Sequence, residues 1–226
     1  MSFEQDEVKD PGDVIKASYT PVQVAVSELD SEAWMAAPAV PLRRYWSGET
    51  APVGRHAEAR LLWSEWALSV RFVCRQTEPL VISRHPQTER KTIALWDRDV
   101  CELFISPDAS RPERYYEFEA APTGEWLDLV VHQRRDVRET DWDFHSGMTV
   151  AARVTKDTVT IAMRVPWEAL GRAPQAGERW RANLFRCVGA GATRGYLVWR
   201  PTYTDEPSFH VPTAFGWIEF TRQETE

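Results

Sequence analysis

The chain has 226 residues, of which 43% are hydrophobic and 27% charged, so it is globular and long enough to bury a sizeable core. Its formal net charge of −7 lacks the basic footprint of a nucleic-acid-binding protein, and no stretch reaches the ~18 apolar residues of a membrane helix. We therefore expect neither nucleic acid nor a membrane as a partner, and the sequence predicts no particular oligomeric state.

The amino-terminal residues 1–12 are polar and acidic and predict a disordered or frayed tail, followed by a single domain over residues 13–222. The tail has no basic segment followed by an apolar core, so it is not a signal peptide. As given, the sequence predicts a cytoplasmic protein. A secreted or periplasmic protein from which a signal had been removed would show the same pattern.

The first predicted elements are short. Residues 14–19 and 22–26 favour two strands, and residues 30–35 favour one helical turn. Prolines and glycines then predict a long irregular segment over residues 38–54.

Most of the remaining chain alternates between apolar and polar residues, the period of a half-buried strand. The clearest case is Leu68, Val70, Phe72 and Cys74, which alternate with polar or smaller neighbours and predict a core face. A second helical turn is predicted at residues 166–170. The fold class is therefore all-β, an antiparallel β-sandwich of about ten strands with long connecting loops and one or two short helical turns. The strands are predicted at residues 57–63, 66–75, 100–105, 114–121, 125–132, 148–154, 158–165, 179–187, 195–200 and 215–221.

The three cysteines, Cys74, Cys101 and Cys187, each lie in an apolar, strand-like run. Their number is odd and their spacing wide, so we expect buried free thiols rather than disulfides or a zinc site. The five histidines are scattered as well. The sequence therefore predicts no cofactor, with calcium as the one candidate ion.

Residues 95–106 combine an acidic loop with the start of a strand. Trp96 stands before Glu102 at the strand entrance, and an aromatic ring beside a carboxylate suits a ligand with one apolar face and a polar rim, such as a sugar. Loop oxygens of Asp97 and Asp99 are possible calcium ligands. The same carboxylates, with Glu102, also leave open a glycoside-acting enzyme, which would use two of them across a groove.

The strand at residues 114–121 carries a second acidic face. Tyr115, Glu117 and Glu119 share one side of it because side chains alternate along a strand. If this strand pairs with the one at residues 100–105, the acidic face lies near Glu102.

Four motifs fall in these regions. They are Trp-Asp-x-Asp-x-x-Glu-Leu-Phe-Ile at 96–105, Tyr-Tyr-Glu-Phe-Glu at 115–119 with Gly124 and Asp128 after it, Asn183 with Arg186, and Trp199-x-Pro201 followed by Phe209-His210-x-Pro212-x-x-Phe215-Gly216. Together they resemble the family 9-like carbohydrate-binding modules, whose jelly-roll sandwich is similar to DOMON-type domains. The resemblance covers about residues 15–221.

The resemblance implies a sugar slot between two partly exposed tryptophans, with Trp96 as one wall and Trp199 as the other. It makes Glu102 an acceptor for sugar hydroxyls. It also shows a departure, because Glu119 and Ala121 stand where the family has an arginine and an asparagine. The remaining residues implied near the ligand are Asp99, Glu119, Asn183, Arg186 and His210.

The sequence thus favours non-catalytic binding of a carbohydrate partner, held between aromatic walls with carboxylate and amide contacts to its hydroxyls. The first alternative is the glycoside-acting enzyme. The second is a haem- or other cofactor-binding sandwich of the DOMON kind, for which Met148 and His132 are the available ligands.

Overall fold

The computed structural model describes residues 13–134 and 137–222, so the tail predicted at 1–12 lies outside the described residues. One α-helical turn, α1 (Trp167–Leu170), and several 3₁₀ turns accompany the strands. None of the helices in the described ranges has the length and apolar character that a membrane crossing requires. The strands are β1 (Val14–Tyr19), β2 (Val40–Leu42), β3 (Arg44–Tyr45), β4 (Ala57–Trp63), β5 (Ala67–Arg75), β6 (Val100–Ser106), β7 (Arg114–Ala120), β8 (Trp126–Arg134), β9 (Val137–Asp141), β10 (Thr149–Val154), β11 (Thr158–Pro166), β12 (Arg179–Val188), β13 (Gly195–Val198) and β14 (Gly216–Thr221).

The strands form one hydrogen-bonded path in the order β10-β11-β5-β4-β1-β14-β12-β6-β7-β8-β9. Neighbours along the path are antiparallel except around β1, which pairs in parallel with β14 and with the end of β4. The path curls, so the half from β10 to β1 packs on the half from β14 to β9. This is the predicted antiparallel β-sandwich, and the antiparallel series β6-β7-β8 supplies the strands of the functional site.

The main core lies between the two halves. The four residues predicted as a core face, Leu68, Val70, Phe72 and Cys74, are at most 1% exposed, and they share this core with Leu103 of β6 and other residues from the opposite half. The side chains of β6 therefore alternate between the two faces of the sheet. Cys101, Leu103 and Ile105 point into the sandwich, which leaves Glu102 and Phe104 on the outer side.

The outer side of the second half is also covered. The segment of residues 201–215 lies over β6, β7, β8 and β12 and forms a second apolar cluster with them. Phe209 stacks on Phe185 with ring centroids 4.1 Å apart, and Phe215 packs edge-on against Tyr115. Glu102 and the acidic face of β7 therefore lie beneath loops rather than in open solvent, although a solvated strand face is the commoner arrangement.

Four short stretches differ from the sequence prediction. β2 and β3 lie within the segment predicted to be irregular, because they are only three and two residues long and lie among prolines and glycines. β9 lies within a predicted loop, because four of its five residues are polar and it pairs only with β8. Residues 22–26 are not a strand. The Glu28 carboxylate accepts from the Ala25 N–H at 2.7 Å and turns the chain there.

The predicted thiol state of the cysteines is confirmed. Cys74, Cys101 and Cys187 are free and buried. Cys74 and Cys101 face each other across the core with their sulfur atoms 3.5 Å apart.

Trp199 lies in the main core, so the prediction that it is a partly exposed wall is wrong. The side chain is 1% exposed and its six-membered ring rests directly on Gly216. A β-carbon added at Gly216 would lie 2.3 Å from Trp199 Cη2 and 2.9 Å from the carbonyl oxygen of Asp13. The spacing of Trp199 and Gly216 in the carboxy-terminal motif therefore reflects core packing rather than ligand contact.

We expect Gly216→Ala to lower the free energy of unfolding by about 1–3 kcal/mol, because the added methyl group overpacks a closed core. Urea denaturation measures this loss. In a Trp199→Phe background the same substitution should be tolerated better, since phenylalanine lacks the ring atoms that the methyl group would strike. Equal losses in both backgrounds would show that Trp199 does not rest on Gly216.

Candidate functional site

A cavity of about 530 Å³ opens on the outer face of β6, β7, β8 and β12, within the size range of small-molecule sites. Its walls come from strands and from three loops, at residues 94–99, 189–196 and 207–210. The side chains facing it fall into an aromatic group at residues 96, 142 and 196 and a carboxylate group at residues 102 and 117.

The loop that carries Trp96 is fixed at three points. Leu95 is fully buried beneath it, and the Arg98 guanidinium donates to the buried Glu125 carboxylate at 2.8 Å. Arg194 donates to the backbone oxygen of Trp96 at 2.5 Å. The Trp96 side chain is left 37% exposed on a constrained backbone, which is the arrangement of a contact surface rather than of a core residue.

Trp142 is the second exposed tryptophan at the cavity. It is 44% exposed, and its ring centroid lies 6.3 Å from that of Trp96 with the planes tilted by 46°. The Lys91 ammonium holds its loop, because it donates to the backbone oxygens of Trp142 at 3.2 Å and of Phe144 and pairs with the buried Asp128 carboxylate at 2.7 Å. Trp96 and Trp142 are called the indole pair below.

Two glutamates, Glu102 and Glu117, form the floor of the cavity, and a third, Glu119, is buried behind them. Glu102 and Glu119 stand directly opposite each other in the β6–β7 register, and Glu117 stands opposite Phe104. Glu102 is 2% exposed, Glu119 is 0% exposed and Glu117 is 3% exposed. One carboxylate oxygen from each of these side chains lies within 4.8 Å of the other two. We call these residues the glutamate cluster. The predicted pairing of the two acidic faces is therefore what the structure shows.

The glutamate cluster is short of hydrogen-bond donors. The Cys187 thiol donates to Glu102 at 3.5 Å. Among the described residues, neither carboxylate oxygen of Glu119 nor Oε2 of Glu117 has a hydrogen-bond partner. A proton on Glu117 or Glu119 allows a hydrogen bond between these two side chains. Loss of that proton leaves buried acceptors without donors, which is unfavourable, typically by about 1–3 kcal/mol each.

Burial disfavours the ionised form of these carboxyl groups and therefore raises their pKa values. Burial raises the pKa of Glu117 to about 7. Burial, followed by the charge of Glu117, raises the pKa of Glu102 well above its usual range. Burial, followed by the charges of Glu102 and Glu117, does the same for the pKa of Glu119.

His210 lines the cavity and ties the overlying loop to β7. Burial lowers the pKa of His210 to about 3, so the ring is neutral and its 4.0 Å approach to Glu117 is not an ion pair. Its Nδ1 lies 2.7 Å from the Tyr115 hydroxyl, whose pKa is raised by burial, and we assign the phenol as the donor in this hydrogen bond. A neutral imidazole that accepts at Nδ1 carries its hydrogen on Nε2, where it is a donor.

Asp99 and Arg194 shape the loop walls. The Asp99 carboxylate accepts from the Gly189 N–H at 2.9 Å, and it lies 3.8 Å from the Arg194 guanidinium. Arg194 in turn donates to the Gly189 oxygen at 2.7 Å, so the loops at residues 94–99 and 189–196 are bound to each other. Asp99 is thus directed at the loop backbone, whereas Asp97 and Glu102 line the cavity.

Two further residues implied by the family resemblance lie outside the cavity. Asn183 is fully buried and brackets the backbone of Arg200, with contacts of 2.9 Å and 3.0 Å. Arg186 points to the other side of β12, where it donates to the backbone oxygens of Arg55 and Arg75 and to the Gln76 side chain. Both have their hydrogen-bonding groups satisfied by the fold, and neither lines the cavity with Glu102.

The residues considered from sequence as ligands for calcium or haem do not form a common site in the structure. Within the described ranges, the three-carboxylate group with metal-ligand spacing is the glutamate cluster, and neither Asp97 nor Asp99 belongs to it. Met148 is 7% exposed and belongs to the main core. It also lines a surface cleft near Gly124 to which His132 does not contribute.

Sequence reasoning missed Trp142 and Arg194 and did not separate Glu117 from an ordinary solvated strand residue. The signal for Trp142 was a large apolar residue in a long charged loop, where solvent exposure has no structural explanation. No pattern marks Arg194, because its role is set by two loops that meet only in the folded chain.

The comparisons with known proteins identify the family and the fold. The sequence profile of carbohydrate-binding family 9 matches residues 46–220. A candidate carbohydrate-binding protein of Bacteroides uniformis superposes with a TM-score of 0.71 at 16% identity, over 92% of this chain and 99% of that one. No curated protein matches the sequence at a comparable level.

A family 9 carbohydrate-binding module of Caldicellulosiruptor kristjanssonii is similar in fold. Its complex with cellotriose superposes with a TM-score of 0.65 at 15% identity, over 93% of this chain and 95% of that one. Its complex with glucose superposes with a TM-score of 0.65 at 14% identity, over 94% of this chain and 98% of that one.

Proposed function

Because the chain belongs to carbohydrate-binding family 9, we propose that it binds carbohydrate without catalysis and that the sugar occupies the cavity beside the indole pair. The observation that carries the proposal is the placement of two exposed tryptophans, Trp96 and Trp142, over a floor of buried carboxylates. This combination matches the apolar face and the polar rim of a pyranose ring.

A pyranose presents C–H groups on its faces and hydroxyl groups around its rim. Indole rings pack against the C–H face, and they lose little conformational entropy when they do so. Hydroxyl groups at the rim need acceptors and donors at fixed positions. Glu102 and Glu117 supply acceptors in the cavity, and the Nε2–H of the neutral His210 supplies a donor.

The spacing and tilt of the indole pair favour stacking of the sugar on one side of both rings rather than between them. A sugar between two parallel rings would need about 7–8 Å between the ring planes, since packed carbon atoms approach to about 3.5–4.0 Å on each side. The centroids of Trp96 and Trp142 are 6.3 Å apart and the planes are tilted by 46°. In our proposal the sugar therefore lies across both rings on one side, with its rim directed at the carboxylates.

Isothermal titration calorimetry with glucose and cellotriose tests the proposal, because related modules have been crystallised with these two sugars. A broad glycan array extends the search to other sugars. Saturable binding of at least one carbohydrate is expected. Failure of every sugar on the array to bind the folded protein would contradict the proposal.

We expect Trp96→Ala and Trp142→Ala each to weaken sugar binding by about 1–3 kcal/mol, as for a central aromatic anchor. Neither should change the free energy of unfolding by more than about 0.5 kcal/mol, since both side chains are partly exposed. Trp66→Ala is the matched control, because Trp66 is 48% exposed and does not line the cavity. Unchanged affinity in both cavity variants would place the sugar elsewhere.

A further inference from the structure

The glutamate cluster is more acidic than a site for neutral sugar hydroxyls requires. We propose that the ligand is an amino sugar whose free ammonium group binds Glu102 and Glu117, with Glu119 at the deepest point of the site. This inference rests on the proposed function and specifies the chemical class of its ligand.

The first argument is the number of donors that must converge. Glu119 is 0% exposed and both its carboxylate oxygens lack a partner among the described residues, as does Oε2 of Glu117. A hydroxyl group donates one hydrogen, whereas an ammonium group donates three from a single atom. Acceptors that gather at one point are therefore better satisfied by an ammonium group than by a sugar hydroxyl.

The second argument is distance. One oxygen from each of Glu102, Glu117 and Glu119 lies within 4.8 Å of the other two. When no side of a triangle exceeds that length, a point exists that is no more than about 2.8 Å from all three corners. A nitrogen at or just above the plane of the three oxygens can therefore be about 2.8 Å from each, the usual separation between an ammonium nitrogen and a carboxylate oxygen. The cluster thus has the dimensions of an ammonium site without rearrangement of the backbone.

The third argument is charge. Among the described residues, no lysine or arginine forms an ion pair with the cluster, and the nearby His210 is neutral. Two arginines line the cavity, Arg138 and Arg194. Arg138 is exposed and Arg194 donates to loop backbone oxygens, and neither donates a hydrogen bond to these carboxylates within the described part of the chain. A cationic ligand would supply the positive charge that the fold itself does not bring into contact.

The rest of the cavity favours an organic cation over a metal ion. Ca²⁺ takes six to eight oxygen ligands. The lining next to the cluster is instead Phe104, Leu129 and the Cys187 thiol, which offer no hard oxygen atoms. The indole pair at the same cavity has no role in a metal site, whereas it suits the ring that carries the amine.

Three β-1,4-linked trimers that differ only at the second carbon of each ring provide the test: cellotriose with a hydroxyl, the glucosamine trimer with an ammonium and the N-acetylglucosamine trimer with a neutral amide. Calorimetry at about pH 7 leaves part of the sugar amine charged and about half of Glu117 ionised, so both members of the ion pair are present. The wild-type protein should bind the glucosamine trimer at least ~10-fold more tightly than the other two, because charge-assisted hydrogen bonds are roughly twice as strong as neutral ones.

The variant Glu119→Gln should lose this preference and retain binding of cellotriose, because Glu119 lies behind the cavity lining. Glu117→Gln should lose the preference and also weaken cellotriose binding, because Glu117 lines the cavity as an acceptor for hydroxyl groups. Circular dichroism checks that both variants fold. Glu168→Gln is the control, since Glu168 is exposed on α1 and lies outside the cavity. A preference that survives both cluster variants would indicate unspecific attraction to the protein's net charge of −7, and would overturn the inference.

The remaining outcomes separate this inference from the proposed function. Cellotriose binding with no preference for the glucosamine trimer leaves the proposed function intact and overturns the amino-sugar assignment. Absence of binding to any glycan contradicts both. Saturable binding of CaCl₂ alone, abolished in Glu119→Gln, would assign the cluster to a metal ion and would also overturn the inference.

Discussion

Replacing Trp199 by alanine is expected to lower the free energy of unfolding by about 3–5 kcal/mol, the range for a large aromatic residue removed from a packed interior. Trp199 is 1% exposed, and it fills the main core between the two halves of the sandwich. Its ring also contacts Gly216, so the neighbouring strand has no side chain that can fill the space. Chemical denaturation with urea measures the loss.

Trp142→Ala is the matched control for this experiment, because it removes the same side chain from a position that is 44% exposed. Trp199→Phe is a second comparison. It keeps most of the apolar volume and removes an indole N–H that has no partner among the described residues, so its loss should be smaller than that of alanine. Similar losses for Trp199→Ala and Trp142→Ala would contradict the assignment of Trp199 to the core.

The second large effect concerns the dependence of stability on pH. Glu117→Gln should become more stable than the wild-type protein as the pH rises, by about 3 kcal/mol at pH 8. The folded protein holds the pKa of Glu117 at about 7 through burial, whereas an unfolded glutamate has a pKa of about 4.3. The folded state therefore binds more protons than the unfolded state between these pH values, and wild-type stability falls as the pH rises through that window.

Urea denaturation of both proteins at about pH 4.5 and at pH 8 provides the measurement, with Glu168→Gln as the control at an exposed site. His210 acts in the opposite direction, because burial lowers its pKa to about 3 and stability falls as the pH drops below about 6.5. Both proteins retain His210, so its contribution cancels in the comparison. Removing the charge of Glu117 also lowers the pKa values of Glu102 and Glu119, which adds to the stabilisation of the variant at high pH. A stability difference that is the same at the two pH values would contradict the account. Other titratable groups around Glu117 are Glu119 and Tyr115 on its own strand β7 and Glu102 on the adjoining β6. Further groups that line the cavity are Cys187 on β12, Arg138 on β9, and Asp97 and Arg194 on the loops.

The fold and the carboxylate floor of the site could be predicted because they follow from the alternation of apolar and polar residues within single strands. The alternation in β6 and β7 depends only on which neighbours are apolar, and it fixes the face of every side chain once the strands pair. Glu102 and Glu119 therefore come together as expected. Their burial could not be foreseen, because it depends on residues 201–215 folding back over the outer face.

The aromatic walls of the site were predicted less well, because the sequence around Trp199 and Trp142 does not show which of the two side chains is buried. Trp199 ends a short apolar strand, which is compatible with either a core or an exposed position, and contact with Gly216 decides for the core. Trp142 sits in a polar loop that the sequence leaves unassigned. Its position is set by Lys91, which reaches it from a segment more than fifty residues away.

Arg186 and Asn183 illustrate the same limit. A polar residue in a strand attracts a functional interpretation when its partners are unknown. In the folded chain both side chains are occupied by backbone oxygens or N–H groups, which satisfies them without a ligand. The glutamate cluster is the opposite case, because Oε2 of Glu117 and both carboxylate oxygens of Glu119 have no hydrogen-bond partner in the described part of the chain.

The central claim is that the carbohydrate occupies the cavity between the indole pair and the glutamate cluster. A crystal structure with the tightest-binding trimer tests it most directly. The account predicts a sugar ring packed on Trp96 and Trp142, with one of its nitrogen or oxygen atoms within hydrogen-bonding distance of Glu102 or Glu117. A sugar bound instead in another surface cleft, such as the one beside Tyr19 and Arg222, with the cavity empty of sugar, would contradict it.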